Sequence, residues 1–207
     1  MVKGVIGKKL GMTHIYKDGK DLAVTAIEAG PCFVIQIKTL EKDGYVAAQL
    51  GFKDTKRINS PQKGHLKELG QFKYLRELAI DDTASIKQGD KVDVDMFKPG
   101  DLVNISGTSK GKGFAGGVKR YHFKGGPKTH GQSDRQRAPG AVGSTTTPGR
   151  IFKGLRMAGH FGDSKVTVRG IEVIDIDLER HLMIVRGAVP GAKNGLLLIN
   201  KAGKGKK

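Results

Sequence analysis

Residues 107–165 set the limit on what this chain can fold into, because they cannot form a packed core of their own. They hold twelve Lys/Arg against two acids, Asp134 and Asp163, together with fourteen glycines and three prolines. Lysine and arginine resist burial without partners, and glycine adds backbone entropy to be lost but no apolar side chain. The stretch carries a net +10 and the C-terminal segment 201–207 adds +4, out of +17 for the whole chain. The other 141 residues therefore carry only +3. Charge concentrated where core-forming residues are scarce calls for an external polyanion to hold it, and nucleic acid is the leading candidate.

On both sides of this block the chain reads as strands. Short runs rich in β-branched residues with partial period-2 alternation cover 2–8, 12–16, 22–28, 33–40 and 45–52, separated by turn signals such as Gly30-Pro31 and Asp43-Gly44. Ser60 as an N-cap with Pro61 at the first helical position predicts one short helix ending near Gly70. Strands resume at 74–80, 91–97 and 102–106. Beyond the basic block they return at 166–168, 170–176, 182–186 and 196–200, with a hairpin turn at 177–181 and a loop at 187–195. The expectation is a mainly β fold, a sandwich or barrel with a short helix and a long, largely irregular basic loop insertion. Its domains are 1–106 with 166–200 as a discontinuous β domain, 107–165 as a Gly-rich extension, and 201–207 as a basic tail. A 59-residue aperiodic stretch is far longer than an ordinary connection, which marks it as functional or disordered.

Composition narrows the function classes. Cys32 is the sole cysteine, so there is no intramolecular disulfide framework, and its place at the head of an apolar run predicts a buried structural thiol. The N-terminus lacks an apolar signal region and no apolar run reaches the roughly 18 residues of a membrane span. The positive charge is not laid out as an amphipathic helix. A soluble, cytoplasmic protein with no membrane partner is expected.

Three enzyme motifs occur within the basic block. Gly111-x-Gly113-x-x-Gly116 matches the dinucleotide fingerprint, and Val118 extends it to the kinase glycine-loop pattern. With 31 glycines in 207 residues, chance supplies roughly 0.7 such matches. The segment after Gly116 has no helical apolar stripe, no strand delivers Asp134 to a ribose, and the other kinase motifs are missing. Gly107-Thr108-Ser109-Lys110-Gly111 matches the nucleophile elbow, with Asp163 and His181 in the right order, but the required helix is missing. The histidines have no ligand spacing, so neither metal nor cofactor is expected. The alternating acids Asp90, Asp93, Asp95, Asp175 and Asp177 read as a solvated strand face. No small-molecule substrate is expected, and the enzyme alternative reduces to a nucleotide or acyl-transfer site at 107–116.

The same residues suit RNA better. Lys110, Lys112, Lys119, Arg120, Lys124, Lys128, Arg135, Arg137, Arg150, Lys153 and Arg156 can meet phosphates by charge, the arginines also by a bidentate fork. His122 and His130 are counted with this RNA-binding set; for them, as for His160, a stacking or phosphate role and a plain surface role both stay open. Phe114, Tyr121, Phe123, Phe152 and Phe161 are interleaved with the cations and can stack on unpaired bases, while anchoring the loop base is an equal role for Phe114 and Phe161. The centre, Val142, Gly143, Ser144, Thr145, Thr146 and Thr147, is small and uncharged, a finger flanked by cations. Duplex DNA would call for a base-reading helix or ribbon, which nothing here supplies.

Longer strings carry a resemblance. Ser106-Gly107-Thr108-Ser109-Lys110-Gly111-Lys112-Gly113-Phe114 and Gly117-Val118-Lys119-Arg120 closely resemble the bacterial form of large-subunit ribosomal protein L three. So do Thr129-His130-Gly131, Arg137-Ala138-Pro139-Gly140, Pro148-Gly149-Arg150-Ile151-Phe152-Lys153-Gly154 and Met157-Ala158-Gly159. Gly7-Lys8-Lys9-Leu10-Gly11-Met12-Thr13 and Gly187-Ala188-Val189-Pro190-Gly191 extend the likeness over nearly the full length. The resemblance implies a translation-protein-type β-barrel with a loop reaching through 23S rRNA toward the peptidyl-transferase centre. It further implies binding near the 3′ end of that RNA, early action in subunit assembly, neighbouring ribosomal proteins as partners, and no enzymatic activity. It lends an RNA-contacting role to Lys110, Lys112, Lys119, Arg120, Arg137, Arg150, Lys153 and Arg156, and puts 142–147 nearest the reaction centre. Some bacterial members carry a methylated glutamine where this chain has Thr146, so that modification is not expected here. A non-ribosomal RNA-binding or RNA-chaperone protein on the same barrel is the alternative.

Overall fold

The computed structural model describes residues 2–17, 19–66, 69–80 and 86–202. In chain order the elements are β1 (Gly4–Lys17), β2 (Lys20–Ala29), β3 (Cys32–Lys38), α1 (Leu40–Asp43), β4 (Ala47–Asp54), α2 (Ser60–Leu66), β5 (Phe72–Ala79) and β6 (Lys91–Val92). A 3₁₀ turn (Val94–Met96) leads to β7 (Leu102–Thr108), β8 (Phe114–Ala115), α3 (Gly117–Tyr121) and β9 (Gly159–His160). The chain ends with β10 (Lys165–Asp177), β11 (Leu182–Arg186) and β12 (Leu196–Lys201). The molecule is mainly β, as the alternation predicts.

Six strands close into a ring in the order β1-β12-β7-β10-β11-β2, every pair antiparallel. The period-2 pattern explains which side chains fill it: Val103 and Ile105 of β7, Leu197 and Ile199 of β12, and Met183 and Val185 of β11 are buried, while their neighbours are less so. The chain leaves the ring after β2 through Gly30-Pro31 and builds a separate four-stranded sheet, β5-β4-β3-β6. One apolar cluster joins the two sheets, with Ile6, Ile27 and Val173 from the ring and Val34, Leu50 and Phe52 from the sheet. Cys32 belongs to this cluster, fully buried, and its thiol donates to the Ile6 carbonyl at 3.5 Å. Chain contacts divide the molecule into two compact units, Met1–Ser109 with Lys165–Lys207, and Lys110–Ser164.

Several local expectations are corrected. The runs 2–8 and 12–16 are one strand, because Lys9 faces Ile27 and Gly11 faces Ala26, which leaves Leu10 as the extra residue of a bulge. Likewise 166–168 and 170–176 form one strand with a bulge between Val168 and Ile171. There Gly170 takes a left-handed conformation (φ 67°) and its N–H donates to the Asn104 side chain at 3.0 Å. The strand expected at 91–97 stops at Val92, since the Asp93 carboxylate accepts from the Val94 N–H (2.8 Å) and starts the 3₁₀ turn instead. Helix α2 begins at Ser60, with the Lys63 N–H donating to the Asn59 carbonyl and the Asn59 N–H to Gln62 Oε1. Asn59 thus holds the cap position, and the helix ends at Leu66. Lys201 closes β12 and pairs with Asp101 at 2.8 Å. Lys17-Asp18-Gly19-Lys20 is a turn by composition, but its Asp18, like residues 203–207 of the basic tail, lies outside the described residues.

Candidate nucleic-acid interface

The basic block leaves the ring at the end of β7 and returns into β10, where Thr108 and Lys165 face each other across the ladder. Between them, Ala115 is the only residue of 110–164 that is buried, and every residue of 133–158 is exposed. The unit has a few internal braces in place of a core. Phe114–Ala115 pairs with Gly159–His160, and the Lys112 N–H donates to the Phe161 carbonyl while the Phe161 N–H donates to the Gly113 carbonyl, both at 2.9 Å. A single helical turn, α3, comes after Gly116 and ends at His122 in the left-handed region (φ 60°). The glycine fingerprint therefore does open onto a helix. That helix is only five residues long, and the strand ahead of it is a two-residue antiparallel piece, which is not a dinucleotide-binding turn. Residues 109–113 are irregular, so the nucleophile-elbow geometry is also missing.

A second brace shapes the middle of the unit. The Gly126 N–H donates to the Gln136 carbonyl at 2.9 Å, and the Ala138 N–H to the Arg135 carbonyl at 3.3 Å. Gly125, left-handed at φ 72°, lies against the Gln136 carbonyl where a Cβ would collide. This closes a loop that carries Lys128, His130, Arg135 and Arg137 on its exposed surface.

The structure leaves the expected cations bare. Lys110, Lys112, Lys119, Lys124, Lys128, Arg135, Arg137, Arg150, Lys153 and Arg156 are exposed, as are His122 and His130; Arg120 is half-buried. Among the described residues of this unit the one ion pair is Arg135–Asp134, at 3.9 Å and open to solvent on both sides. Arg120 also has a structural role: its Nη1 donates to the Met157 carbonyl at 2.8 Å, and its guanidinium packs against Gly159. The aromatic interleaving seen in the sequence becomes cation–π contact. Lys112 Nζ stands 4.5 Å from the Phe161 ring centre, Arg120 and Arg156 lie 5.0 and 5.7 Å from that of Tyr121, and Arg150 lies 5.9 Å from that of Phe152. Phe114 is 79% exposed, so it is no anchor, while Phe123 packs against Gly117 and 5.9 Å from Tyr121. The tip, Val142 to Thr147, is exposed throughout.

Asp93 has a role that the strand-face reading missed. Its Oδ1 accepts from the Val94 N–H and meets His181 Nδ1 at 2.9 Å, and its Oδ2 pairs with Lys91 at 2.8 Å. Burial is the largest single influence on this carboxyl and pushes its pKa up. The bonds from Lys91, Val94 and His181 together outweigh it and hold the group below the usual carboxylate range. The cluster is structural, tying the 3₁₀ turn to the β10–β11 hairpin turn. Only the residue order Asp-Val-Asp-Met, a capping pattern, hinted at it.

Fold and charge together define a β protein that carries a long, cation-covered insertion. The sequence model of the family described as Ribosomal protein L3 matches residues 66–182, more than half of the chain. The large ribosomal subunit protein uL3 of Dehalococcoides mccartyi is 56% identical over 205 residues, covering 99% of this chain and all of that protein. Those of Herpetosiphon aurantiacus and Thermotoga petrophila are 52% and 47% identical, each covering all of both chains. This chain belongs to the ribosomal protein L3 family.

Proposed function

We propose that this protein is a structural constituent of the large ribosomal subunit in the cytoplasm, and that its insertion is the part that RNA holds. The observation that carries this is the insertion itself: a run of 26 consecutive exposed residues, 133–158, that carries five cations and a single acid, Asp134. Such a surface is unfavourable alone through self-repulsion, and phosphates relieve it. The finer parts of the proposal rest on family membership. They are a ring that is a barrel of the translation-protein type, binding to 23S rRNA near its 3′ end, early action in assembly with neighbouring ribosomal proteins, and residues 142–147 directed toward the peptidyl-transferase centre. Lys110, Lys112, Lys119, Lys124, Lys128, Arg135, Arg137, Arg150, Lys153 and Arg156, with His122 and His130, are the proposed RNA contacts, and Arg120 both braces the unit and contacts RNA. The chain is read as non-enzymatic, with the chemistry of translation left to the RNA.

The test is a map of RNA crosslinks from Ser144, Thr145, Thr146 and Thr147 in purified large subunits. Crosslinks clustered in 23S rRNA around the peptidyl-transferase centre are expected. Crosslinks confined to peripheral rRNA, or to proteins alone, would overturn the placement of the tip.

A further inference from the structure

The insertion holds an open groove of about 540 Å³, whose apolar wall includes Phe123, Val142 and Leu155 and whose rim carries Lys124, Arg135 and Arg156. That volume lies within the range of small-ligand sites, roughly 300–1,000 Å³. Val142 and Leu155 are 42% and 43% exposed, so part of each apolar side chain stands open to a ligand. Three cations around an apolar slot match one chemistry closely: a flat, weakly polar ring attached to a phosphodiester. We propose that this groove takes a single unstacked nucleotide of RNA, its base against Phe123 and Leu155 and its phosphates at Lys124, Arg135 and Arg156. The proposal rests on the RNA-binding reading of the insertion and adds to it a specific base pocket.

The surroundings support a prepared site. Gly125 and Gly126 form one wall, and their approach to the backbone of residues 135–136 is fixed by the Gly126–Gln136 hydrogen bond and by the absence of a Cβ. Arg156 is steadied beside the Tyr121 ring, and Tyr121 by Phe123, so one rim cation and one apolar wall belong to a single group of touching side chains. A groove that only gathered phosphates would need no apolar lining. A groove for an uncharged apolar side chain would gain nothing from three cations on its rim.

The test uses the full-length chain and a single-stranded 12-nucleotide oligoribonucleotide, compared with an oligomer of the same length and charge lacking its bases. The wild-type protein should bind the base-bearing oligomer roughly ten- to hundredfold more tightly, as expected for one buried, stacked base. The double variant Ala138→Leu, Ala141→Leu fills the groove and leaves every cation in place. It should bind both oligomers with the wild-type affinity for the abasic one, at an unchanged salt dependence. A 4-thiouridine-bearing oligomer should photocrosslink to Phe123 or Leu155 of the wild type, a readout that does not depend on the variant folding. No preference for bases in the wild type, preference retained in the variant, or crosslinks only elsewhere would each overturn the pocket while leaving RNA binding intact. Failure of both oligomers to bind in a salt-dependent way would overturn the pocket and the RNA-binding reading together.

Discussion

Asp93 shows how one side chain holds two parts of a fold. With three partners within 2.9 Å and a side chain only 19% exposed, it is worth more than a surface ion pair. Asp93→Ala should cost about 2 kcal/mol in urea unfolding, combining a lost cap with lost charge-assisted bonds. Because its folded-state pKa is depressed, its contribution is fully present above the unfolded value of about 4 and fades as pH falls through the folded value. The difference in stability between wild type and Asp93→Ala should therefore be constant from pH 7 to about pH 5 and shrink below pH 4; a constant difference down to pH 2 would contradict the assignment. Cys32 is the opposite case, a titratable group with nothing to do. Burial, only partly offset by the bond to the Ile6 carbonyl, pushes its thiol up to about 12. Iodoacetamide at pH 8 should leave the native protein unlabelled and modify Cys32 only after denaturation.

Among the elements, those with strict alternation were legible in the sequence: β7, β11 and β12 bury every second residue, and their bounds fall within two residues of expectation. The bulges were not. Whether Leu10 interrupts a strand or only widens it depends on β2, which pairs with β1 at long range, and no local property of Lys9-Leu10-Gly11 decides it. The same holds for β8 with β9, two-residue pieces from opposite ends of the insertion. The candidate interface was legible as charge and aromatic content, but the groove was not, since it needs three segments distant in sequence, two of them joined by the Gly126–Gln136 brace. At the β1 bulge, Lys9 is 8% exposed and its ammonium donates to the Val189 and Gly191 carbonyls at 2.9 and 3.3 Å. Its backbone bonds Asn194 and Gly195, so one residue pins the loop before β12. Lys9→Met keeps the length of the side chain but removes the donors, and should destabilise by about 1–3 kcal/mol through two carbonyls left short of partners. Hydrogen exchange should rise first at 189–195, and uniform loss of protection instead would mean that the loop is held by something else.

For the whole molecule, the division of labour between the two units is itself testable. Residues 110–164 contribute +9 of the +17 charge and one buried residue, whereas the apolar core lies in the ring and second sheet. Thr108 and Lys165 face each other across an antiparallel ladder, so a two-residue Asn-Gly turn can join the strands once the insertion is removed. The shortened chain should unfold cooperatively, with a midpoint within a few degrees of the full protein, because it loses almost no buried apolar surface. RNA binding should respond quite differently. If the insertion makes about six to ten phosphate contacts, the full chain should lose roughly 10³–10⁵ in affinity between 50 and 200 mM salt. The shortened chain should bind weakly at both salt concentrations, with a much shallower dependence. Equal salt slopes for the two chains would place the RNA-binding surface on the ring and its tail, and a shortened chain that fails to fold would show that the insertion stabilises the domain despite its exposure.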